Sequence, residues 1–61
     1  MAMPHLRDRN GNPLHSGDRV LYQVSPRLRW APGTVTEDGR VRSDYNGNVG
    51  VLWPEYTERA A

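Results

Sequence analysis

The sequence predicts an all-β protein, a small five-stranded barrel with one short 3-10 or helical turn near its C-terminus. Three observations predict it. Apolar and polar residues alternate with period two over several short runs, the pattern of half-buried strands. Gly, Pro, Asn and Asp punctuate those runs at regular spacing, as tight turns require. The chain has only 61 residues, and at that size a barrel leaves fewer strand edges exposed than a sandwich does.

The organising stretch is Gly17–Thr36. Gly17 takes a positive φ without steric cost and turns the chain into the first strand. Val20, Tyr22 and Val24 then share one face, and Arg19, Leu21 and Gln23 the other. Ser25-Pro26 ends the strand, because proline removes a ladder donor. Arg27-Leu28-Arg29 is a loop, and Trp30–Thr36 is the returning strand. Pro32 within it predicts an edge position or a bulge, and Gly33 a close approach of another backbone.

Upstream, residues 1–9 read as a flexible tail and residues 10–59 as the barrel domain. Asp8–Pro13 is dense in turn formers, and a short leading strand near Leu6 is expected to pair with Leu14-His15 across the Asn10-Gly11 turn. Downstream, Asp38-Gly39 marks a hairpin. The third strand is Arg40–Tyr45, with Val41, Ser43 and Tyr45 on one face and Arg40, Arg42 and Asp44 on the other. After the Asn46-Gly47-Asn48 turn comes a fourth strand, Val49–Trp53. Val49, Val51 and Trp53 are expected inside, with Gly50 and Leu52 on the opposite face. Pro54 stops it and opens a helical turn over Pro54–Arg59.

The expected core is Leu14, Val20, Tyr22, Val24, Trp30, Val35, Val41, Val49, Val51 and Trp53. Burying each is worth ~1.5–3 kcal/mol, against ordering costs of ~1–2 kcal/mol per residue. Removing the Trp53 side chain is expected to cost about 3–5 kcal/mol. A domain this short buries only about 60% of its unfolded surface. The sequence contains no cysteine, so no disulfide or thiolate metal site adds stability. A homo-oligomer or a stabilising partner would supply what the core lacks.

Charge restricts the function less. The net charge is +1, and all eight basic residues are Arg. Arginine suits bidentate contacts to phosphate or carboxylate and stacking on rings. An arginine bias of the source genome explains the same count. No apolar run approaches the ~18 residues of a membrane span. The opening Met-Ala-Met-Pro-His lacks a signal core, so the expected location is cytoplasmic.

Three resemblances attach to these motifs. Gly17-Asp18-Arg19-Val20, Trp30, Gly33-Thr34-Val35 and Asp44-Tyr45-Asn46-Gly47-Asn48 resemble the pattern of SH3-like barrels of the Tudor and KOW type. The last stretch is similar to the Asp-Tyr-Gly-Asn of Tudor domains with one residue inserted. The resemblance implies an aromatic cage for methylated Lys or Arg, with Trp30 and Tyr45 as members; the family's first cage aromatic falls at Val24. Asp8, Asn10, Gly11, Gly17, Asp18 and Val20 are similar to the opening of phage and prophage proteins of the YopX kind, which implies a mobile-element origin. Gly17–Val20, Trp30 and Val51-Leu52-Trp53-Pro54 resemble, in order, plasmid-borne type II dihydrofolate reductases, which are tetrameric barrels. That family's active-site glutamine is replaced by Val51, and its strand lysine falls near Tyr22.

Catalytic candidates are sparse. The histidines, His5 and His15, lie in the tail and beside a turn, and Ser16, Ser25 and Ser43 sit in no nucleophile elbow. Asp18 reads as a turn residue rather than a general base. No metal-ligand spacing is present, and no cofactor is expected. Binding candidates are better grouped. Arg27 and Arg29 on the first loop, Arg40 and Arg42 on the outer face of the third strand, and Trp30 and Tyr45 beside them could form a surface for protein or single-stranded nucleic acid. A solvated face with these arginines paired to Glu37, Asp38 and Asp44 is the stronger reading of the same residues. The expected function is a non-enzymatic binding module of accessory or mobile-element type. A homo-oligomeric barrel enzyme of the type II reductase kind is the alternative, disfavoured by the missing glutamine and lysine.

Overall fold

The computed structural model describes residues 6–25 and 27–60. The chain is all-β, as predicted. Strands β1 (Arg19–Tyr22), β2 (Ala31–Val35), β3 (Val41–Ser43), β4 (Val49–Gly50) and β5 (Thr57–Arg59) form one antiparallel sheet in the order β4-β3-β2-β1-β5. A single 3-10 turn, Pro54–Tyr56, joins β4 to β5. No ladder joins β4 to β5, so the barrel-like sheet has an open seam.

Local chemistry accounts for the elements. Gly17 has φ 88° and leads into β1, where Val20 is buried and Arg19 exposed. Gly33 sits where a Cβ would lie 2.8 Å from Val41 Cγ2, 2.9 Å from the Arg42 carbonyl oxygen and 2.9 Å from Tyr22 Cε1. That is the close approach expected of it. β2 is central rather than an edge strand, which corrects the expectation from Pro32. Pro32 is tolerated because its carbonyl accepts the Asp44 N–H (3.1 Å) at the point where β3 has ended. Its missing donor therefore falls beyond the ladder.

The core is Leu14, Val20, Val35, Val41 and Leu52, with Leu6 and Tyr22 packed against it. Four expected core residues are instead exposed: Val24 (71%), Val49 (49%), Val51 (62%) and Trp53 (51%), while Leu52 is 7% exposed. Register explains the inversion. Val41 pairs with Gly50, so Gly50 and Leu52 take the inner face and their odd-numbered neighbours the outer one. A one-residue offset exchanges the two faces of a strand. β1 also ends at Tyr22, before Val24, and β3 at Ser43, before Tyr45. Pro26, expected to stop the first strand, lies outside the described residues. The helical turn expected to reach Arg59 stops at Tyr56, because Thr57 is buried, donates its hydroxyl to the Trp53 carbonyl (2.8 Å) and pairs with Tyr22.

The leading segment pairs as expected. Arg7 bridges Pro13, and the Leu14 N–H donates to the Leu6 carbonyl (2.9 Å). Residues 6–9 are thus held by the fold and do not belong to a tail; residues 1–5 lie outside the described residues. Asp8 is the main attachment. Its Oδ1 accepts the N–H groups of Asn10 (2.9 Å) and Asn12 (2.8 Å), and its Oδ2 accepts Asn12 Nδ2 (3.1 Å) and the Arg59 N–H (2.8 Å). Burial by itself raises this carboxyl's pKa. The hydrogen bonds, that from Arg59 foremost, outweigh it and hold the group below the ordinary 3.8.

Two predictions follow from packing and from this carboxylate. Leu52→Ala should cost ~2–5 kcal/mol in urea unfolding, and Trp53→Ala clearly less; the reverse order would contradict the inverted faces. The native carboxyl of Asp8 titrates below its unfolded value, so its contribution is present above the ordinary carboxylate range and lost as pH falls through the native pKa. Asp8→Asn should lower stability at neutral pH by about 1–3 kcal/mol and flatten the acid limb of a stability–pH curve. An unchanged acid limb would rule the carboxylate out as its source.

Candidate functional site

The residues displaced from the expected core gather at the open seam. Tyr22 at the end of β1, with Gln23 and Val24 beyond it, faces β4 and the segment that follows, across an open groove of about 430 Å³. Buried Val41 and Ser43 form its floor, and Val24, Val49, Val51 and Trp53 its apolar walls.

Each wall is fixed by local hydrogen bonding. The Gln23 N–H donates to the Tyr56 carbonyl (2.9 Å), and Gln23 Nε2 donates to the Leu28 carbonyl (2.7 Å), which ties the β1–β2 loop to the strand end. In the β3–β4 turn the Gly47 N–H donates to the Ser43 carbonyl (2.9 Å), the Tyr45 N–H to Ser43 Oγ (3.2 Å) and the Asn48 N–H to Asn46 Oδ1 (2.9 Å). The Trp53 carbonyl accepts both the Tyr56 N–H (2.9 Å) and the Thr57 hydroxyl (2.8 Å). Its backbone is therefore anchored while its ring stays half exposed. Among the described residues no Asp, Glu, Arg or His lines the groove, so it suits an uncharged, apolar occupant.

The arginine surface is divided. Arg27 and Arg29 are exposed on the β1–β2 loop, at the start of β2. Arg40 lies beyond the other end of β2, in the turn closed by the Thr36 N–H donating to the Arg40 carbonyl (2.8 Å). The five residues of β2 put roughly 17 Å between those ends. Arg40 Nε is 3.4 Å from Asp38 Oδ2. The Thr36 hydroxyl on Asp38 is the chief cause that holds that carboxyl below its usual range. Arg42 is exposed between them, cross-strand from Thr34 and Val49. Tyr45, 80% exposed, falls at the same end as Trp30 by continuation of the β2–β3 register. Trp30 is half-buried, with the Arg9 guanidinium carbon 5.3 Å from its ring centroid. Arg19 pairs with Asp44, which also accepts the Thr34 hydroxyl (3.1 Å).

Asp18 staples its own turn, as read from the sequence. Its Oδ2 accepts the His15 N–H (2.9 Å), and its N–H donates to the His15 carbonyl (3.0 Å). His5 lies outside the described residues. Among the described residues no three His, Asp or Glu side chains converge as a metal site, and no helix is long and apolar enough to cross a membrane. The sequence signal for the groove was the uncharged run Asn46–Pro54, which reads as a buried strand until its register is known. Comparison with models of known families, with curated proteins and with solved structures finds no match to this chain.

Proposed function

We propose that the chain is a non-enzymatic binding module whose partner is a protein, held in the apolar groove at the open seam. The observation that carries this reading is the exposure of Val24, Val49, Val51 and Trp53 around one uncharged groove. Leaving such side chains in water costs ~1.5–3 kcal/mol each relative to burial. Contiguous exposed apolar surface of this kind marks interaction sites, and the cores of protein interfaces are depleted in charge and rich in aromatic residues.

Single-stranded nucleic acid ranks second. A nucleic-acid surface needs arginines grouped along a backbone track with open rings beside them. Here Arg27 and Arg29 stand at one end of β2 and Arg40 at the other, and Arg9 covers one face of Trp30. A net charge of +1 gives little long-range attraction for a polyanion.

Anisotropy of labelled single- and double-stranded oligonucleotides separates the two classes. The protein reading predicts no binding even at low salt. It also predicts that immobilised wild-type chain retains a partner that Val51→Asp loses and the Arg40→Ala, Arg42→Ala double variant keeps. Tight oligonucleotide binding that falls steeply with salt and disappears in Arg27→Ala, Arg29→Ala would overturn it.

A further inference from the structure

We propose that the occupant of the groove is a second copy of this chain, joined β4 edge to antiparallel β4 edge across a two-fold axis at Gly50. The inference rests on the protein-binding reading and names the partner.

The two edges of the sheet are built differently. The Ser43 N–H donates to the Asn48 carbonyl (2.9 Å), so the next pair, Arg42 and Val49, is a non-hydrogen-bonded one. In an antiparallel ladder these pair types alternate. The N–H and C=O of Val49 therefore point away from β3, and extending the strand by one residue in the proposed dimer turns those of Val51 the same way. Among the described residues nothing hydrogen-bonds to either. The β5 edge is closed. The Ala60 N–H donates to the Arg19 carbonyl (2.9 Å), so Thr57 and Arg59 carry the outward groups of β5. The Thr57 carbonyl accepts the Arg9 N–H (2.8 Å), and the Arg59 N–H goes to Asp8 (2.8 Å). One open edge per chain gives an assembly that closes at two copies; two open edges would give a filament.

The open edge complements itself. With Gly50 on the two-fold, Val49 of one copy faces Val51 of the partner subunit, and the outward N–H and C=O groups of both meet. All four valines then lie on one face of the joined sheet. Gly50 itself has no requirement inside the chain. It is not among the positive-φ glycines, and a Cβ there would meet nothing within 4 Å. A strand glycine marks close backbone approach, and in this arrangement it stands in a non-hydrogen-bonded pair, where Cα atoms come to ~4.5 Å.

Charge permits the contact. Asn46–Pro54 is nine residues without an ionisable side chain, and it would meet its own copy. A standard interface takes ~800 Å² per partner, about one face of a body measuring 29 × 23 × 20 Å. The seam face carries Val24, Val49, Val51 and Trp53.

Because the sequence has no cysteine, Gly50→Cys tests the geometry cleanly. In the proposed dimer its two thiols fall within disulfide reach. Mild oxidation should link it rapidly into a covalent dimer, while Leu21→Cys, exposed on the outer face of β1, should stay unlinked. Sedimentation of the wild type should give twice 6.9 kDa, and Val51→Lys, an exposed position in the monomer, should give single chains that still fold but whose unfolding midpoint no longer rises with protein concentration as that of the wild type does. A wild type that stays monomeric at sub-millimolar concentration overturns the inference. So does a wild-type dimer in which Gly50→Cys links no faster than Leu21→Cys. A monomer that still captures a protein lost by Val51→Asp would overturn the second copy and leave the protein-binding reading standing.

Discussion

The Asp8 carboxylate is the contact on which the rest of the fold depends. It lies in a turn near the beginning of the described chain, yet its Oδ2 accepts the N–H of Arg59, 51 residues away. Four donors converge on it while it is 4% exposed. A buried carboxylate is costly unless fully hydrogen-bonded. Here the local turn supplies three donors and β5 the fourth, so the charge is satisfied only when the two ends of the chain are together. With five buried apolar side chains in the core among the described residues and no cysteine in the sequence, that condition ties the leading segment to the last strand.

The consequence for the groove is positional. β5 is held between β1 and the Asp8 turn, and buried Thr57 at its start fixes the Trp53 carbonyl. The segment from Val49 to Trp53 is thereby anchored at both ends, by β3 on one side and by the 3-10 turn on the other. Buried Leu52 faces inward, so its neighbours Val51 and Trp53 face outward. The apolar wall of the seam is thus a by-product of the register that builds the core. One edge of the sheet is closed by a carboxylate, and the other presents valines and free backbone groups.

Much of this was legible in the sequence, and the failures share one cause. Leu14, Val20, Val35 and Val41 were readable as core because each stands in an alternating run or beside a turn with polar neighbours. Gly33 was readable as a close approach, and the Asp38-Gly39 turn as a hairpin. Val49–Trp53 was not readable, because both parities of that segment are free of charge and only pairing with β3 decides which one faces inward. The larger side chains pointed to the wrong answer. The arginine surface shows the same limit: alternation places Arg40 and Arg42 on one face but does not tell that Arg27 lies at the other end of the hairpin. Asp8 read as a turn former, which it is, but its bond to Arg59 is non-local and leaves no sequence pattern.

The central claim is that the two sheet edges are unequal, and amide hydrogen exchange measured by NMR on dilute protein tests it most directly. The account predicts slow exchange at Arg59 and Arg9, whose N–H groups are bonded at the closed edge, and fast exchange at Val49 and Val51, with protection of the latter pair growing as concentration rises. Equal and concentration-independent protection at all four amides would contradict it.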